Sequence, residues 1–316
     1  MLTNLDRRDG RVYEFASDAD TSDDTTSDVD ALQLAAQVAT ITDRPLLLRG
    51  APGVGKSSLA SYLARERNWR YYEHTVTART EATDLLWTFD PVRRLGDATR
   101  PDRGTTSVND HDYVTPGAVW WAFDPKSASR RGGTAETTPA TEPMSDVNRD
   151  RLTVGAVVLI DEIDKADPDV PNALLAPLGS HQFDVTDTGT VVRQERKHVL
   201  VIITTNEERQ LPPAFVRRCI VYRVPPPSVE HMARIAAAHA HNAKRTLTQA
   251  EQELIREIAV ATGELQDHAR EHKLRPPGVA EFLDAVWAAL DLGISIKSDE
   301  WQYVKRLTLA KDDGLA

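Results

Sequence analysis

Three short apolar runs stand out along the chain: Pro45-Leu46-Leu47-Leu48, Val157-Val158-Leu159-Ile160, and Val199 to Thr205. Each is unbroken by charge, as a strand buried on both faces of a parallel sheet must be. Tyr71 to Val76 reads as a further strand. Between these runs the spacing becomes helical. Ser57 to Arg67 places Leu59, Tyr62 and Leu63 on one face, Ala31 to Ile41 predicts a short apolar helix before the first strand, and Glu81 to Trp87 and Pro171 to Leu178 predict two more. Phe183 to Arg193, with Asp187-Thr188-Gly189 at its middle, predicts a β-hairpin. Strands alternating with helices predict a doubly wound α/β domain with a parallel central sheet.

Past Pro225-Pro226-Pro227 the pattern is helical only. Thr248 and Glu251 form a capping box ahead of Leu254, Ile255 and Ile258. Val279, Phe282, Leu283, Val286, Trp287 and Leu290 share one helical face between Pro276-Pro277 and Gly293. The triple proline is the expected boundary, giving a domain over 31–225 and a small all-helical domain over 226–316. No internal repeat interrupts this division. Two polar segments rich in Gly, Ser, Thr and Pro, 96–112 and 126–151, read as insertions on either side of the apolar stretch Tyr113 to Phe123. Residues 1–30 read as a flexible acidic segment, because Ser17 to Asp30 holds six aspartates, no basic residue and little to bury.

Composition narrows the class. The 316 residues are 41% hydrophobic and 27% charged, ordinary for a soluble globular protein, and no stretch approaches the ~18 apolar residues of a membrane span. Met1 to Tyr13 lacks the apolar core of a secretory signal, so a cytoplasmic location is expected. Cys219 is the only cysteine, which excludes an internal disulfide and a cysteine-based metal cluster. A net charge of −10 argues against sequence-independent attraction to nucleic acid.

The candidate chemistry begins directly after the first strand. Gly50-Ala51-Pro52-Gly53-Val54-Gly55-Lys56-Ser57, continuing into Ser58, is a complete Gly-x-x-x-x-Gly-Lys-Ser phosphate-binding loop between a strand and a helix. In that context backbone N–H groups and the helix N-terminus can wrap a triphosphate. Lys56 is placed to reach the β- and γ-phosphates, and the Ser57 hydroxyl to hold Mg²⁺. Asp161 ends the second buried run and can order the Mg²⁺ shell from the carboxyl end of its strand. Glu162 follows at once, placed to act on water as a general base or a water-positioning group. Asn206 ends the next strand, where a neutral amide can hydrogen-bond the attacking water or the γ-phosphate.

These residues, with Leu159-Ile160-Asp161-Glu162-Ile163-Asp164-Lys165-Ala166 and Leu211-Pro212-Pro213-Ala214-Phe215-Val216-Arg217-Arg218-Cys219, resemble the Walker A, Walker B, sensor 1 and arginine-finger segments of an AAA+ ATPase. The Pro-Gly-Ala-Val-Trp-Trp-Ala-Phe stretch from Pro116, the hairpin before sensor 1 and the Leu-Pro-x-Ala-Phe lead into the arginines resemble the MoxR-like branch. The resemblance spans roughly Arg44 to Leu290. It implies an αβα P-loop sandwich with a parallel central sheet, a helical lid, and ATP and Mg²⁺ bound at a subunit boundary in a homo-oligomeric ring of six subunits. It further implies that Arg218, with Arg217 as second choice, reaches the neighbouring subunit's γ-phosphate.

Two features depart from that pattern. Arg275 precedes Pro276-Pro277 rather than opening the lid helix, so it is a sensor 2 candidate displaced by one turn, or a helix cap, or a cover for apolar surface. The separation between Lys56 and Asp161 exceeds the compact family core, and the excess falls in the polar segments. Trp120-Trp121 can line a channel or grip a partner, although core packing is the commoner fate of such a pair. His268-Ala269-Arg270-Glu271-His272 matches a zinc-peptidase pattern but has no third ligand, which favours plain helix surface. The functions this leaves open are a ring ATPase acting on an unidentified protein client, a nucleotide-dependent regulatory switch, and, disfavoured by charge, a nucleic-acid motor.

Overall fold

A computed structural model of the protein describes residues 26–99, 108–272 and 274–310. The acidic stretch up to residue 25 and the part of the first polar segment over 100–107 lie outside the described residues. The chain divides into two compact units, one of Leu32–Leu48 and Leu63–Tyr222, the other built chiefly from Arg49–Tyr62 and residues 223–310.

Nine strands form in chain order among the described residues: β1 (Leu46–Arg49), β2 (Trp69–Thr75), β3 (Trp87–Phe89), β4 (Val114–Pro116), β5 (Leu152–Asp161), β6 (Gln182–Val185), β7 (Thr190–Arg193), β8 (His198–Thr205) and β9 (Ile220–Arg223). Five of them make one parallel sheet in the order β2-β5-β8-β1-β9. The register pairs Arg70 with Ala156 through Thr75 with Asp161, and Gly155 with His198 through Ile160 with Ile203. At the far edge the Ile220 N–H donates to the Pro45 carbonyl at 2.8 Å. Ala156 to Ile160 and Val199 to Ile203 are all buried, as the uncharged runs predict. Each such Val, Leu or Ile contributes about 1.5–3 kcal/mol against the entropy of ordering the chain. The expected α/β fold with a parallel sheet and a helical C-terminal region is what forms.

Local differences from the sequence reading have identifiable causes. The first helix runs Thr26–Ile41, five residues longer than the apolar pattern, since extending a helix past its nucleus costs little. The segment expected as a helix from Glu81 shrinks to a 3₁₀ turn, Ala82–Leu85, because Trp87–Phe89 is recruited to pair antiparallel with Val114–Pro116. The strand β9 is four residues long with alternating exposure, too short and too polar to stand out. Trp120 and Trp121 are buried, with Trp120 edge-on to Phe183 at 5.9 Å. The core, not a channel, uses them.

The second polar segment is pinned structure rather than a loose insertion. Asn148 is fully buried and brackets Tyr71, accepting from its N–H at 2.8 Å and donating to its carbonyl at 3.0 Å. Glu142 accepts from the Tyr72 hydroxyl at 2.7 Å and pairs with Arg70 at 3.1 Å, while Arg196 reaches the same hydroxyl at 3.2 Å. Burial pushes the Tyr72 phenol well above its usual pKa and lowers that of Arg196. Asn148 thereby occupies the backbone N–H and carbonyl of Tyr71 on β2, an edge strand that would otherwise offer them as a template for pairing.

Beyond β9 only helices follow among the described residues: Val229–Asn242, Gln249–His272, Val279–Leu292 and Asp299–Thr308. Met232, Ile258, Phe282, Val286 and Trp301 share their core. No helix among the described residues is long and apolar enough to cross a membrane. His268 and His272 sit exposed with ring centroids 4.1 Å apart, and no trio of candidate metal ligands gathers among the described residues.

The predicted capping box is present. Thr248 N–H donates to Glu251 at 2.8 Å, and Glu251 N–H donates to the Thr248 hydroxyl at 3.3 Å. The backbone donor of Thr248 and then Arg245 pull the Glu251 carboxyl from its ordinary 4.5 down to about 2. A depressed carboxyl stabilises the fold above its unfolded pKa, and that contribution is lost as pH falls from about 4.5 toward 2. Thermal melts of Glu251→Gln should therefore show a shallower decline of Tm than wild type across that window. Parallel declines would remove this role for the box.

Candidate functional site

The phosphate loop lies in the helical unit together with the segment it rests on. Gly53 and Gly55 adopt φ of 78° and 93°, backbone that side chains rarely tolerate. A Cβ on Gly50 would stand 2.8 Å from the Val224 carbonyl oxygen, so only glycine allows that approach. The helix Lys56–Glu66 starts at the lysine, with Ser57 and Ser58 in its first turn. Lys56 is 6% exposed, and its ammonium donates to the carbonyls of Gly50 at 2.7 Å and Ala51 at 2.8 Å.

The loop leans on the start of the helix Val279–Leu292. The Gly53 carbonyl accepts from Val279 N–H at 3.1 Å. Gly278 donates to one carboxylate oxygen of Glu281 at 3.1 Å, and Arg275 pairs with the other at 3.0 Å. Beside the loop opens a cavity of ≈ 600 Å³, walled by Val54, Val224, Pro225, Pro226, Leu274 and Pro277 among others. Its polar lining includes Arg223, Gln266 and Arg270. Two prolines that the sequence reading used only as a boundary are thus a wall, and Arg270, singled out only within a histidine pattern, is on it. A rigid apolar surface made by prolines has no sequence signature separating it from a linker.

The acidic cluster belongs to the sheet unit. Asp161 ends β5, and its side chain accepts from the Thr204 hydroxyl at 2.5 Å. The same hydroxyl accepts from Glu162 N–H at 2.8 Å, and Glu162 has a left-handed backbone with φ of 60°. Asn206 donates to one Glu162 oxygen at 3.1 Å, while Lys165 donates to the other at 2.5 Å. That bond raises the Lys165 pKa above its usual value. Buried Asp164 accepts from the backbone N–H groups of Asn206 at 3.4 Å and Glu208 at 3.0 Å.

Asp161, Glu162 and Asn206 are accordingly brought together. Thr204, inside the third apolar run, and Lys165, inside the quoted acidic motif, had no role of their own in the sequence reading and hold them. Only the strand register reveals that the Thr204 side chain faces the acidic pair. Arg217 and Arg218 are both exposed at the end of the helix Pro213–Arg218, which is anchored by the buried Phe215.

Sheet, loop and lysine define a P-loop α/β protein. A family model described as AAA domain (dynein-related subfamily) matches residues 45–219. That is more than half of the chain, and the chain belongs to this family. No curated protein matches the sequence. Among solved structures, the Holliday junction branch migration motor RuvB of Thermotoga maritima superposes with a TM-score of 0.43 at 15% identity, covering 84% of this chain and 68% of that one. Two point variants of the same protein give TM-scores of 0.45 and 0.44, each at 15% identity, over 84% and 85% of this chain and 69% of theirs.

Replacing Thr204 by valine keeps its shape but removes the hydroxyl shared by Asp161 and Glu162. The half-buried N–H and carboxylate then lose a partner, a cost of up to about 1–3 kcal/mol. Urea unfolding of Thr204→Val should show an unfolding free energy lowered by that amount and a correspondingly lower midpoint, and an unchanged midpoint would contradict the bridge.

Proposed function

We propose that the protein is a Mg²⁺-dependent ATPase of the MoxR-like branch, assembled as a ring and using hydrolysis to remodel or mature a protein partner. The observation that carries this reading is the phosphate loop itself. Its three glycines take positive φ and carry no Cβ, Lys56 projects into its curl, and the neighbouring apolar cavity of ≈ 600 Å³ has the volume a nucleoside requires. In this reading the amides of Gly50 to Ser58 and the Lys56 ammonium hold the triphosphate, and Ser57 and Asp161 are the Mg²⁺ ligands. Bound Mg²⁺ supplies charge neutralisation for phosphoryl transfer. Glu162 orients water or takes its proton, and Asn206 fixes the Glu162 carboxylate. Arg218, with Arg217 as the alternative, is exposed, as a group serving a neighbouring subunit has to be. Arg275 remains a sensor 2 candidate, acting beside the loop through its pairing with Glu281.

The ion pair between Lys165 and Glu162 favours a second reading, a nucleotide-dependent switch with slow turnover. Both oxygens of the Glu162 carboxylate are engaged, one by Asn206 and one by Lys165. A carboxylate with both oxygens so engaged is less available to a water molecule.

Hydrolysis rates separate the readings. The rate per subunit should rise with protein concentration as the ring assembles, and Glu162→Gln should lower it at least ~100-fold while nucleotide binding persists. No hydrolysis at any concentration, with Glu162→Gln indistinguishable from wild type, would leave only the switch. Lys165→Ala should raise the basal rate several-fold if the ion pair restrains Glu162; an unchanged rate removes the second reading. Strong stimulation by single- or double-stranded nucleic acid would instead point to a motor. Proteins retained by the Glu162→Gln variant in the presence of ATP would identify the client.

A further inference from the structure

The helix that carries both candidate finger arginines, Pro213–Arg218, is six residues long. A helix this short makes few internal hydrogen bonds, and its final carbonyls have no helical partners. Arg44 supplies partners from 174 residues away in sequence. Its Nε donates to the Arg218 carbonyl at 3.1 Å. Its Nη2 donates to the carbonyl of Arg217 and, at 3.3 Å, to that of Cys219. A planar guanidinium at the negative end of the helix is favourable both as a donor fork and as a charge.

Other contacts leave this tie with much to do. A cavity of ≈ 380 Å³ opens beside the helix, lined by Leu175, Leu178, Phe215 and Cys219 among others, so packing around its anchor Phe215 is incomplete on that side. Arg44 is itself fixed. Its N–H donates to the Ala39 carbonyl at 3.1 Å, and the next residue, Pro45, accepts from Ile220 N–H at 2.8 Å.

We infer that Arg44 is a positioning residue: through three backbone carbonyls it sets the direction in which Arg217 and Arg218 leave the surface, and so controls the charge this subunit delivers to a neighbour's nucleotide. The inference rests on the shared-site reading proposed above. A role of this kind belongs to the subunit that donates the arginine, not to the one whose phosphate loop is occupied.

Mixing single variants tests that assignment. Arg44→Ala alone should lower kcat at least tenfold while its own affinity for a fluorescent ATP analogue stays within twofold of wild type. Mixed in equal amounts with Lys56→Ala it should regain activity several-fold above the sum of the two, because one kind of interface then pairs an intact loop with an intact arginine helix. Mixed with Arg218→Ala it should regain none, since both lesions lie on the donating side. Arg44→Lys should be intermediate, because an ammonium cannot span three carbonyls; where the alanine variant fails to fold, Arg44→Lys mixed in the same way decides.

Wild-type rates in Arg44→Ala would overturn the inference. So would loss of its own nucleotide affinity, or complementation with Arg218→Ala instead of Lys56→Ala. The control pair, Lys56→Ala with Arg218→Ala, separates the two levels. If the control complements and the Arg44 pair does not, only the inference falls. If the control also fails with both variants folded and assembled, the shared-site reading fails and takes the inference with it.

Discussion

Strands β5 and β8 run parallel with Ile160 opposite Ile203, and that register carries the acidic cluster with it. It brings the two strand ends level, so that the Thr204 hydroxyl meets both the Asp161 carboxylate and the Glu162 N–H. A slip of one residue would turn Thr204 to the opposite face and bring Thr205 in its place. Burial of Val157 to Ile160 and Leu200 to Ile203 on both faces is what makes the register costly to change. The left-handed turn at Glu162 is strained for a residue with a side chain, and the bond from its N–H to Thr204 helps to hold it.

Charged groups in both halves of the candidate chemistry are held by internal partners. Lys56 donates to two loop carbonyls, while Glu162 is shared between Asn206 and Lys165. Neutral carbonyls bind an ammonium more weakly than phosphate oxygens do, so a polyanion entering the loop has a physical means of drawing Lys56 outward. Asp164, by contrast, is nearly inaccessible and accepts the backbone donors of Asn206 and Glu208. It serves to lock the loop after β8, a task that hydrogen-bond geometry assigns and residue type alone does not.

Much of the fold was legible because its signals are local. An uncharged apolar run of four to seven residues has few alternatives to a buried strand, and Gly53 and Gly55 adopt the positive φ that a phosphate loop demands. The Thr248–Glu251 capping box is similarly short-range. The misreadings came where a distant partner outweighed local preference. Trp87 left a predicted helix to pair with Pro116; the tie of Asn148 to the edge of β2 had no local signal at all. The Trp120–Trp121 pair, for which core packing was the commoner expectation, is indeed in the core against Phe183.

The sequence by itself determined the alternation of strands and helices, the phosphate loop and the types of side chain available for chemistry, because each depends on residues within a turn or a strand of one another. Only the tertiary structure decided which of those side chains meet. Thr204 joins Asp161 and Glu162 across two strands, Lys165 takes one oxygen of Glu162, and Arg44 ties down the carbonyls beneath Arg217 and Arg218. Pairings of this kind are set by register and by the packing of elements far apart in the chain, so neighbouring residues carry no trace of them.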